Sequence, residues 1–577
     1  MKHYVLKGNV GEIANVIKDR QLYDESLWKI AAEQFKVQLD GENDGWRGEY
    51  WGKLMRGAVL VCKYTSDDKL YDILEDTVRD LISYADENGR LSSYSLETEF
   101  HGWDLWGRKY AAVGLEYFYE ICRDETLKKE ILNELKKHYD YIISKVGNGD
   151  GKISIKATAP RLRGLSASSI LKSFVVLYEL TNEKRYLDFA EYIISEGGID
   201  DFDIFEAAYE NKLNPCDYPV KKAYEMISCF EGILEYYKVT KIGKYRVIAE
   251  NFAKKLIATE MTIVGGAACL HEWFNYSVKS QTYIQQKPVQ ETCVTVSVML
   301  YLYEVYNLTG EKEYVDKMIL SFENAYAGAL NYDYRSEHLG FPFDSYSPLI
   351  SRRRGLEAIA GVQWMSGVRP YGCCSAIGAA GLGVFLAVAV ESDNAITTVN
   401  YYDRYEFFSE TVEFVMVKNC VAQNNEAVID FDVKSPTTIR LRIPVGSRRF
   451  IVKTQAEKVD GSEYVLVKAE KKGRLTVEIS WLDDFSIING ESLGGNPDRF
   501  AVVGGETVYV ADRRYCDVDK SFGNIKTVAP VALAPDAPYR KAVEIISESG
   551  EKFLLIDYAS AGRTWDEESA VTVWLSK

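Results

Sequence analysis

The chain carries one carboxylate and three thiols in two short motifs that together could bind a metal ion. Glu291 and Cys293 are separated by one residue, and Cys373 and Cys374 follow 80 residues after Cys293. Three thiolates and one carboxylate suit a four-coordinate zinc site. The spacing alone leaves two interpretations open, a zinc site and a chance meeting of core cysteines.

A further carboxylate, Glu272, lies 19 residues before Glu291. Two carboxylates at one site are the groups that acid–base cleavage of a glycosidic bond requires. From the sequence alone, a solvated loop carboxylate is the simpler interpretation of Glu272.

A repeated helical hairpin organises the first two thirds of the chain. Each copy has an apolar helix, a short polar turn and an amphipathic helix. Aligned on one position, the copies fall at Thr65, Cys122, Thr181, Thr240 and Thr309, in steps of 57, 59, 59 and 69 residues. The uncharged run 376–390 supplies the inner helix of a sixth hairpin. We therefore predict an (α/α)6 barrel, or toroid, over residues 1–391, with an open solenoid as the alternative.

Alternating apolar and polar residues indicate antiparallel strands after the helical region. The clearest segments are 411–417, 438–443 and 475–479, and later 500–503 and 507–510. We predict a multidomain α+β protein in which two β-sandwiches, residues 392–485 and 486–577, follow the barrel. We expect the sandwiches to pack against the barrel, and we consider a homodimer through them.

The hairpin order places all inner-helix N-termini at one end of the toroid, and the unusual residues gather there. Helix N-termini carry a partial positive charge that favours thiolates and carboxylates. This shared end favours zinc for the cysteine cluster, and it predicts a concave site. The expected substrate-binding residues are Trp46, Trp103, Trp106, Arg108, Lys222, Glu225 and His271.

Composition and charge exclude several other classes of protein. The 577 residues are 47% hydrophobic and 27% charged, which is an ordinary globular composition. The net charge of −16 disfavours nucleic acid and anionic membranes as partners. The uncharged segment 370–390 is long enough to span a bilayer, but its glycines and paired cysteines favour a fully buried helix. Residues 1–9 show no apolar signal segment, so we expect a cytoplasmic protein with reduced thiols.

Several motifs together give the chain a resemblance to a known family. They are Glu291-Thr292-Cys293, Gly372-Cys373-Cys374, His271-Glu272-Trp273-Phe274, the stretch 222–232, the segment 438–444 and the segment 499–509. With these motifs the chain resembles the β-L-arabinofuranosidases of glycoside hydrolase family 127 and its sister families. The resemblance runs over nearly the whole chain and agrees with a helical barrel followed by sandwiches.

The resemblance implies a retaining exo-glycoside hydrolase that acts on plant-type or glycoconjugate oligosaccharides. By match to the family pattern, Cys373 is the nucleophile and Glu272 is the general acid and base. Glu291, Cys293, Cys373 and Cys374 bind Zn²⁺. A metal keeps the Cys373 sulfur deprotonated at neutral pH, and the thiolate then attacks the anomeric carbon.

The chain departs from the family pattern around the sugar. Alignment to that pattern places Arg108, Ala167 and Lys222 where the family's arabinofuranosidases use histidines. Ser375 and Ala376 follow the paired cysteines where the family usually has prolines. The added positive charges of Arg108 and Lys222 suggest an acidic or differently hydroxylated sugar.

Two other functions remain open from the sequence. One is a metal-independent toroid enzyme, such as a uronyl hydrolase, lyase or epimerase, but the chain has only five histidines. The other is a non-catalytic sugar-binding protein with a structural zinc. The additional carboxylate of Glu272 beside the thiols disfavours it.

Overall fold

A computed structural model describes residues 2–332, 341–354, 361–418, 426–447, 449–480, 485–534, 536–564 and 567–577. Helices form most of the first two thirds of the chain, and strands form most of the remainder. The six helices that we call inner helices 1 to 6 are Gly48–Thr65, Asp104–Ile121, Leu171–Thr181, Ala223–Thr240, Thr292–Thr309 and Cys373–Ala389. Each inner helix contacts the next, and the sixth contacts the first, so the six helices form a closed ring.

Amphipathic helices follow the first five inner helices and bury one face against the ring. They are Asp68–Ser83, Glu125–Lys145, Lys184–Ser195, Gly243–Thr259 and Lys312–Ser321. The helices Asn9–Ile17 and Glu25–Val37 precede inner helix 1. Shorter helices lie at Asp40–Asn43, Leu165–Ser168, Ile204–Glu210, Ser277–Ser280 and Ala327–Ala329, and π-helical turns at Lys18–Leu22 and Phe322–Tyr326.

The repeated threonine marks the end of four inner helices. Thr65, Thr181, Thr240 and Thr309 are the last helical residues, and each Oγ1 donates a hydrogen bond to the carbonyl four residues earlier, at 2.7–3.0 Å. A hydroxyl bonded in this way competes with the helical backbone pattern. The residue after each threonine adopts the left-handed conformation that ends the helix, so the repeat position marks the turn.

Inner helix 6 is the most deeply buried helix of the ring. Its residues from Cys374 to Ala389 are all buried, which explains its lack of charge. It packs closely on inner helix 1, where a side chain at Gly57 would place its Cβ 2.5 Å from the Ala380 nitrogen. Among the described residues, no helix combines the length and apolarity needed to cross a bilayer.

The strand-rich region begins with two sheets that follow the ring. The six-stranded sheet has the order His3–Leu6, Tyr405–Phe408, Val412–Lys418, Glu426–Val433, Gly473–Ser480 and Arg449–Thr454. The five-stranded sheet has the order Val390–Ser392, Ile396–Val399, Thr437–Arg442, Tyr464–Ala469 and Lys458–Asp460. The first strand of the chain thus pairs with a strand beyond the helical region.

The last sheet contains nine strands and contacts the helical region. Its main path runs Phe485–Asn489, Arg499–Gly504, Thr507–Asp512, Lys552–Asp557, Ala542–Ser547 and Ile525–Pro530, with Ala570–Thr572, Leu575–Ser576 and Arg352–Arg353 attached. Asn324 fixes the helical region to this sheet, since its Nδ2 donates to the Glu506 carbonyl at 2.9 Å and its Oδ1 accepts from the Val508 nitrogen at 2.9 Å. The fold is therefore a helical region followed by a sheet-rich region, as the sequence predicts. Two-stranded sheets lie at Gly198–Ile199 with Phe202–Asp203 and at Val362–Met365 with Arg369–Gly372.

Candidate active site and metal centre

The two cysteine motifs meet at the N-terminal ends of neighbouring inner helices. Glu291 ends the strand Val289–Glu291 and directly precedes inner helix 5, and Cys293 is the second residue of that helix. Cys373 and Cys374 are the first two residues of inner helix 6. One ligand atom from each of the four side chains lies within 4.8 Å of all the others.

The geometry of this cluster fits a metal ion. Glu291 Oε1 lies 3.4 Å from Cys374 Sγ and 3.8 Å from Cys373 Sγ, and the two sulfurs are 3.9 Å apart. Glu291 Oε2 is buried and has no hydrogen-bond partner among the described residues. Since a buried carboxylate oxygen normally has a partner, the Glu291 carboxylate has unused acceptor capacity, and its Oε1 and the convergent thiols form a suitable donor set for a cation.

A small sheet and one glycine hold the cluster in place. The sheet joins Leu270–His271, Val289–Glu291 and Tyr346–Pro348, with Glu291 opposite Tyr346. The carbonyl of Gly361 accepts a hydrogen bond from the Cys373 nitrogen at 3.4 Å. Gly361 has a φ of 71°, and a Cβ there would lie 3.2 Å from Cys373 Sγ, so glycine gives both the backbone conformation and the space.

The cluster borders a cavity of about 360 Å³ at this end of the ring. Cys373 is half-buried and lines the cavity, whereas the other three members of the cluster are buried. The lining residues are Trp46, Glu49, Lys53, Trp103, Trp106, Arg161, Leu162, Lys222, Tyr224, Glu225, Glu272, Trp273, Glu291, Cys293, Tyr346, Gly361 and Cys373. A concave site with convergent polar groups is the usual form of an active site.

Thiolate character is concentrated on Cys373. Hydrogen bonds from Cys293 and Cys374 hold the pKa of the Cys373 thiol well below its ordinary value, and the ammonium groups of Lys53 and Lys222 add to this effect against burial. Burial raises the pKa of Cys293 and of Cys374. The most accessible sulfur of the cluster is therefore also the one that most readily ionises, as a nucleophile requires.

Glu272 reaches the same cavity from a loop that is fixed to inner helix 4. Its Oε2 accepts a hydrogen bond from Lys222 Nζ, and its carbonyl accepts one from the Ala223 nitrogen at 2.9 Å. Burial lowers the pKa of Lys222, but the carboxylates of Glu225, Glu272 and Glu291 outweigh burial and raise it. Lys222 is thus an ammonium group that orients Glu272.

The inner wall of the cavity contains a lysine that our sequence analysis missed. Lys53 Nζ lies 3.1 Å from Glu49 Oε1 and 4.5 Å from the centre of the Tyr224 ring. Glu49 Oε2 also accepts a hydrogen bond from Trp106 Nε1, and burial raises the pKa of Glu49 to about 7. The spacing of Glu49 and Lys53, four residues apart on an inner helix, was the available sequence signal.

Tryptophans form another wall, as the sequence predicts for Trp46, Trp103 and Trp106. The ring centres of Trp46 and Trp103 are 6.3 Å apart, and those of Trp103 and Trp106 are 5.9 Å apart. Trp273, which stands in the motif His271-Glu272-Trp273-Phe274, and Tyr346, which the sequence did not indicate, also line the cavity. Flat aromatic faces of this kind can pack against sugar rings.

Two predicted sugar contacts do not line this cavity. Arg108 is fully buried, and its guanidinium donates to Asp104 Oδ2 at 3.0 Å and to Glu99 Oε2 at 2.7 Å. The ring of His271 lies edge-on to Tyr346, with the ring centres 5.1 Å apart. Neither residue is therefore part of the proposed sugar site, whereas the predicted residues Lys222 and Glu225 line the cavity.

Comparison with known proteins agrees with this arrangement. Residues 3–375 match the family model described as the β-L-arabinofuranosidase GH127 catalytic domain. A GH127 β-L-arabinofuranosidase from Geobacillus stearothermophilus T6 has the same fold, with a TM-score of 0.74, 16% identity and 100% of both chains covered. A second structure, titled as a GH127 β-arabinofuranosidase, has a TM-score of 0.74 at 15% identity, over 99% of this chain and 96% of that one. No curated protein matches in sequence.

The family match covers more than half of the chain and ends beyond the paired cysteines, so it includes the complete Glu–Cys cluster. On this evidence the chain belongs to glycoside hydrolase family 127 and is a glycoside hydrolase.

Proposed function

We propose that this glycoside hydrolase is a retaining, exo-acting enzyme of the β-L-arabinofuranosidase type, with Cys373 as nucleophile and Glu272 as general acid and base. One observation carries the proposal. Cys373 lines the cavity and is half-buried, so its sulfur is the thiol of the cluster that a bound sugar can reach, whereas Cys293 and Cys374 are buried.

The reaction would proceed in two steps through a covalent intermediate. In the first step, the Cys373 sulfur attacks the anomeric carbon, and Glu272 gives its proton to the leaving glycosidic oxygen. In the second step, Glu272 accepts a proton from water, whose oxygen displaces the sulfur and releases the sugar. The two-step route retains the anomeric configuration. The hydrogen bond from Lys222 Nζ to Oε2 would hold the Glu272 carboxyl group at the cavity while its other oxygen gives and then accepts the proton.

Glu291, Cys293, Cys373 and Cys374 would hold the metal ion, and we propose Zn²⁺ because the donors are three thiols and one carboxylate. When bound, zinc would stabilise the thiolate form of Cys373 at neutral pH. Glu291 Oε1, which lies 3.4 Å from Cys374 Sγ and 3.8 Å from Cys373 Sγ, is the carboxylate oxygen that would join the thiols in holding the metal.

The remaining predictions on architecture form part of the same proposal. We propose that the closed ring is an (α/α)6 barrel within residues 1–391, and that residues 392–485 and 486–577 are two β-sandwiches. The strand His3–Leu6 would join the first sandwich from the start of the chain. The cytoplasmic location and the homodimer stay predictions from the sequence.

The experiment that tests the function is hydrolysis of a panel of aryl glycosides, β-L-arabinofuranoside included, with and without a strong zinc chelator under reducing conditions. We expect release from one sugar class, loss of that release with the chelator, and recovery on addition of Zn²⁺. Hydrolysis at the same rate with and without the chelator would favour a metal-independent carboxylate mechanism. Failure to cleave any glycoside while zinc is retained would favour a binding protein with a structural zinc.

A further inference from the structure

Besides Glu291 Oε2, two carboxylate oxygens in the catalytic cavity are buried without a hydrogen-bond partner among the described residues. Glu49 Oε1 lies 3.1 Å from Lys53 Nζ, and the other is Oε2 of Glu225, in the first turn of inner helix 4. Glu225 is only 3% exposed and lines the cavity, but it is not a member of the Glu–Cys cluster. Because an unpaired buried acceptor is costly, Glu225 needs a donor that the described protein atoms do not supply.

The cations that line the cavity already have acidic partners. Lys53 lies 3.1 Å from Glu49, and Lys222 donates to Glu272. Arg161 lies at the exposed edge, where its guanidinium is 3.4 Å from Asp44. A substrate carboxylate would therefore meet no unpaired cation among the described lining residues.

The cavity also carries more carboxylates than cations. Glu49, Glu225, Glu272 and Glu291 line it, against the cations Lys53, Lys222 and Arg161. Burying an anionic ring there would remove it from water without an unpaired cation among the described lining residues to meet it, whereas a neutral hydroxyl could donate to Glu225.

We propose that Glu225, beside the Lys53–Glu49 pair, binds a ring hydroxyl of the glycone and makes the cavity select a neutral sugar over a uronate. The inference rests on the proposed function, since it takes this cavity to be the glycone site. It replaces the acidic sugar that the lysine and arginine suggested in the sequence, because Lys222 is ion-paired and Arg108 lies elsewhere.

The test is a direct binding measurement that does not depend on turnover. 1,4-Anhydro-L-arabinitol and the derivative whose C5 hydroxymethyl group is oxidised to a carboxylate share the five-membered ring and its hydroxyls, and neither can be hydrolysed. Binding of each to the purified full chain is measured by ligand-detected NMR and calorimetry. We expect the neutral compound to bind at least tenfold more tightly than the carboxylate.

The variant Glu225→Gln keeps the side-chain shape but replaces one carboxyl oxygen with an amide nitrogen, and we expect it to bind 1,4-anhydro-L-arabinitol at least tenfold more weakly. The control is Glu235→Gln, on the same helix but away from this cavity, where Glu235 contacts Lys238 at 3.3 Å. We expect the control to bind within twofold of the parent. Thermal unfolding of both variants separates loss of binding from loss of folding.

Equal or tighter binding of the carboxylate derivative, or binding of neither compound, would overturn the inference, and so would unchanged affinity in a folded Glu225→Gln variant. The wild-type comparison decides the selectivity even if that variant does not fold. A failure here leaves the thiolate mechanism standing, because cleavage of aryl glycosides and its loss in a Cys373 variant are measured separately.

Discussion

The ring of inner helices contains two charged cavities of similar size that differ in how fully their charged groups are paired. The cavity at the helix N-terminal end has a volume of about 360 Å³, and the one towards the C-terminal ends has about 310 Å³. We call them the front and rear cavities. In the rear cavity Arg56 contacts Glu231 at 3.3 Å, and Lys238 contacts both Glu235 and Glu304. Its charges thus largely satisfy one another.

The front cavity differs because its polar groups outnumber their partners. Carboxylate oxygens of Glu225 and Glu291 have no partner among the described residues, and three thiols converge on one point. The comparison teaches that a charged cavity is not in itself a site. Unmatched buried groups that face a common space indicate a ligand, whereas matched pairs indicate a structural role.

The largest expected effect is on kcat/KM, and it compares the thiol of Cys373 in the front cavity with a buried thiol elsewhere in the ring. Cys373→Ser removes the thiolate in the front cavity, and we expect kcat/KM to fall by about 10⁴-fold or more, as for loss of a nucleophile. Cys229 is a fully buried thiol on inner helix 4 that donates to the Leu165 carbonyl. The control Cys229→Ser should keep kcat/KM within about threefold of the parent, since a hydroxyl can also donate to that carbonyl. Equal losses in the two variants would contradict the assignment.

The second largest effect compares a carboxylate in the front cavity with a carboxylate at the rear cavity. Glu272→Gln cannot protonate the leaving group, so we expect a loss of about 10²–10⁴-fold in kcat/KM, larger for an alkyl glycoside than for a nitrophenyl glycoside. Glu120→Gln changes an exposed carboxylate at the rear cavity and should leave steady-state rates unchanged. An equal loss of kcat/KM for the alkyl and the nitrophenyl glycoside in Glu272→Gln would show that Glu272 is not the general acid.

The smallest effect concerns stability and arises in the rear cavity. Burial raises the pKa of Glu116 to about 8, against hydrogen bonds from Tyr139 and Ser173. Between the unfolded pKa of about 4.3 and the folded value, the folded state holds a proton that the unfolded state releases. This carboxyl therefore makes stability fall as pH rises through that window.

We expect Glu116→Gln to remove up to about 1.4 kcal/mol per pH unit of that decline. The check is urea unfolding of parent and variant at several pH values between 5 and 8. Parallel curves for the two proteins would contradict a raised pKa for Glu116.

The order of helices follows from local signals in the sequence. The repeated threonine is the last residue of four inner helices, and the uncharged run of inner helix 6 reflects burial on all sides. Strands appear at Val412–Lys418, Thr437–Arg442 and Gly473–Ser480, where apolar and polar residues alternate. These features depend on neighbours within a turn or a strand, so the sequence displays them directly.

Contacts between side chains that are distant in the sequence were harder to predict. Arg108 lies near the correct end of inner helix 2, but Glu99 and Asp104 bind its guanidinium away from the cavity. Lys53 is concealed in an apolar helix, and Tyr346 reaches the site only through pairing of its strand with Glu291. Such contacts arise from ring closure and strand pairing, which residue spacing alone does not encode.

The most direct test of the account is the site of covalent attachment during turnover. The enzyme is quenched in acid while it cleaves its best aryl glycoside, digested, and analysed by tandem mass spectrometry. The account predicts one glycosyl group on the sulfur of Cys373, absent after chelation of the metal. A glycosyl group on Glu272, Glu291 or Cys374 instead of Cys373 would contradict it.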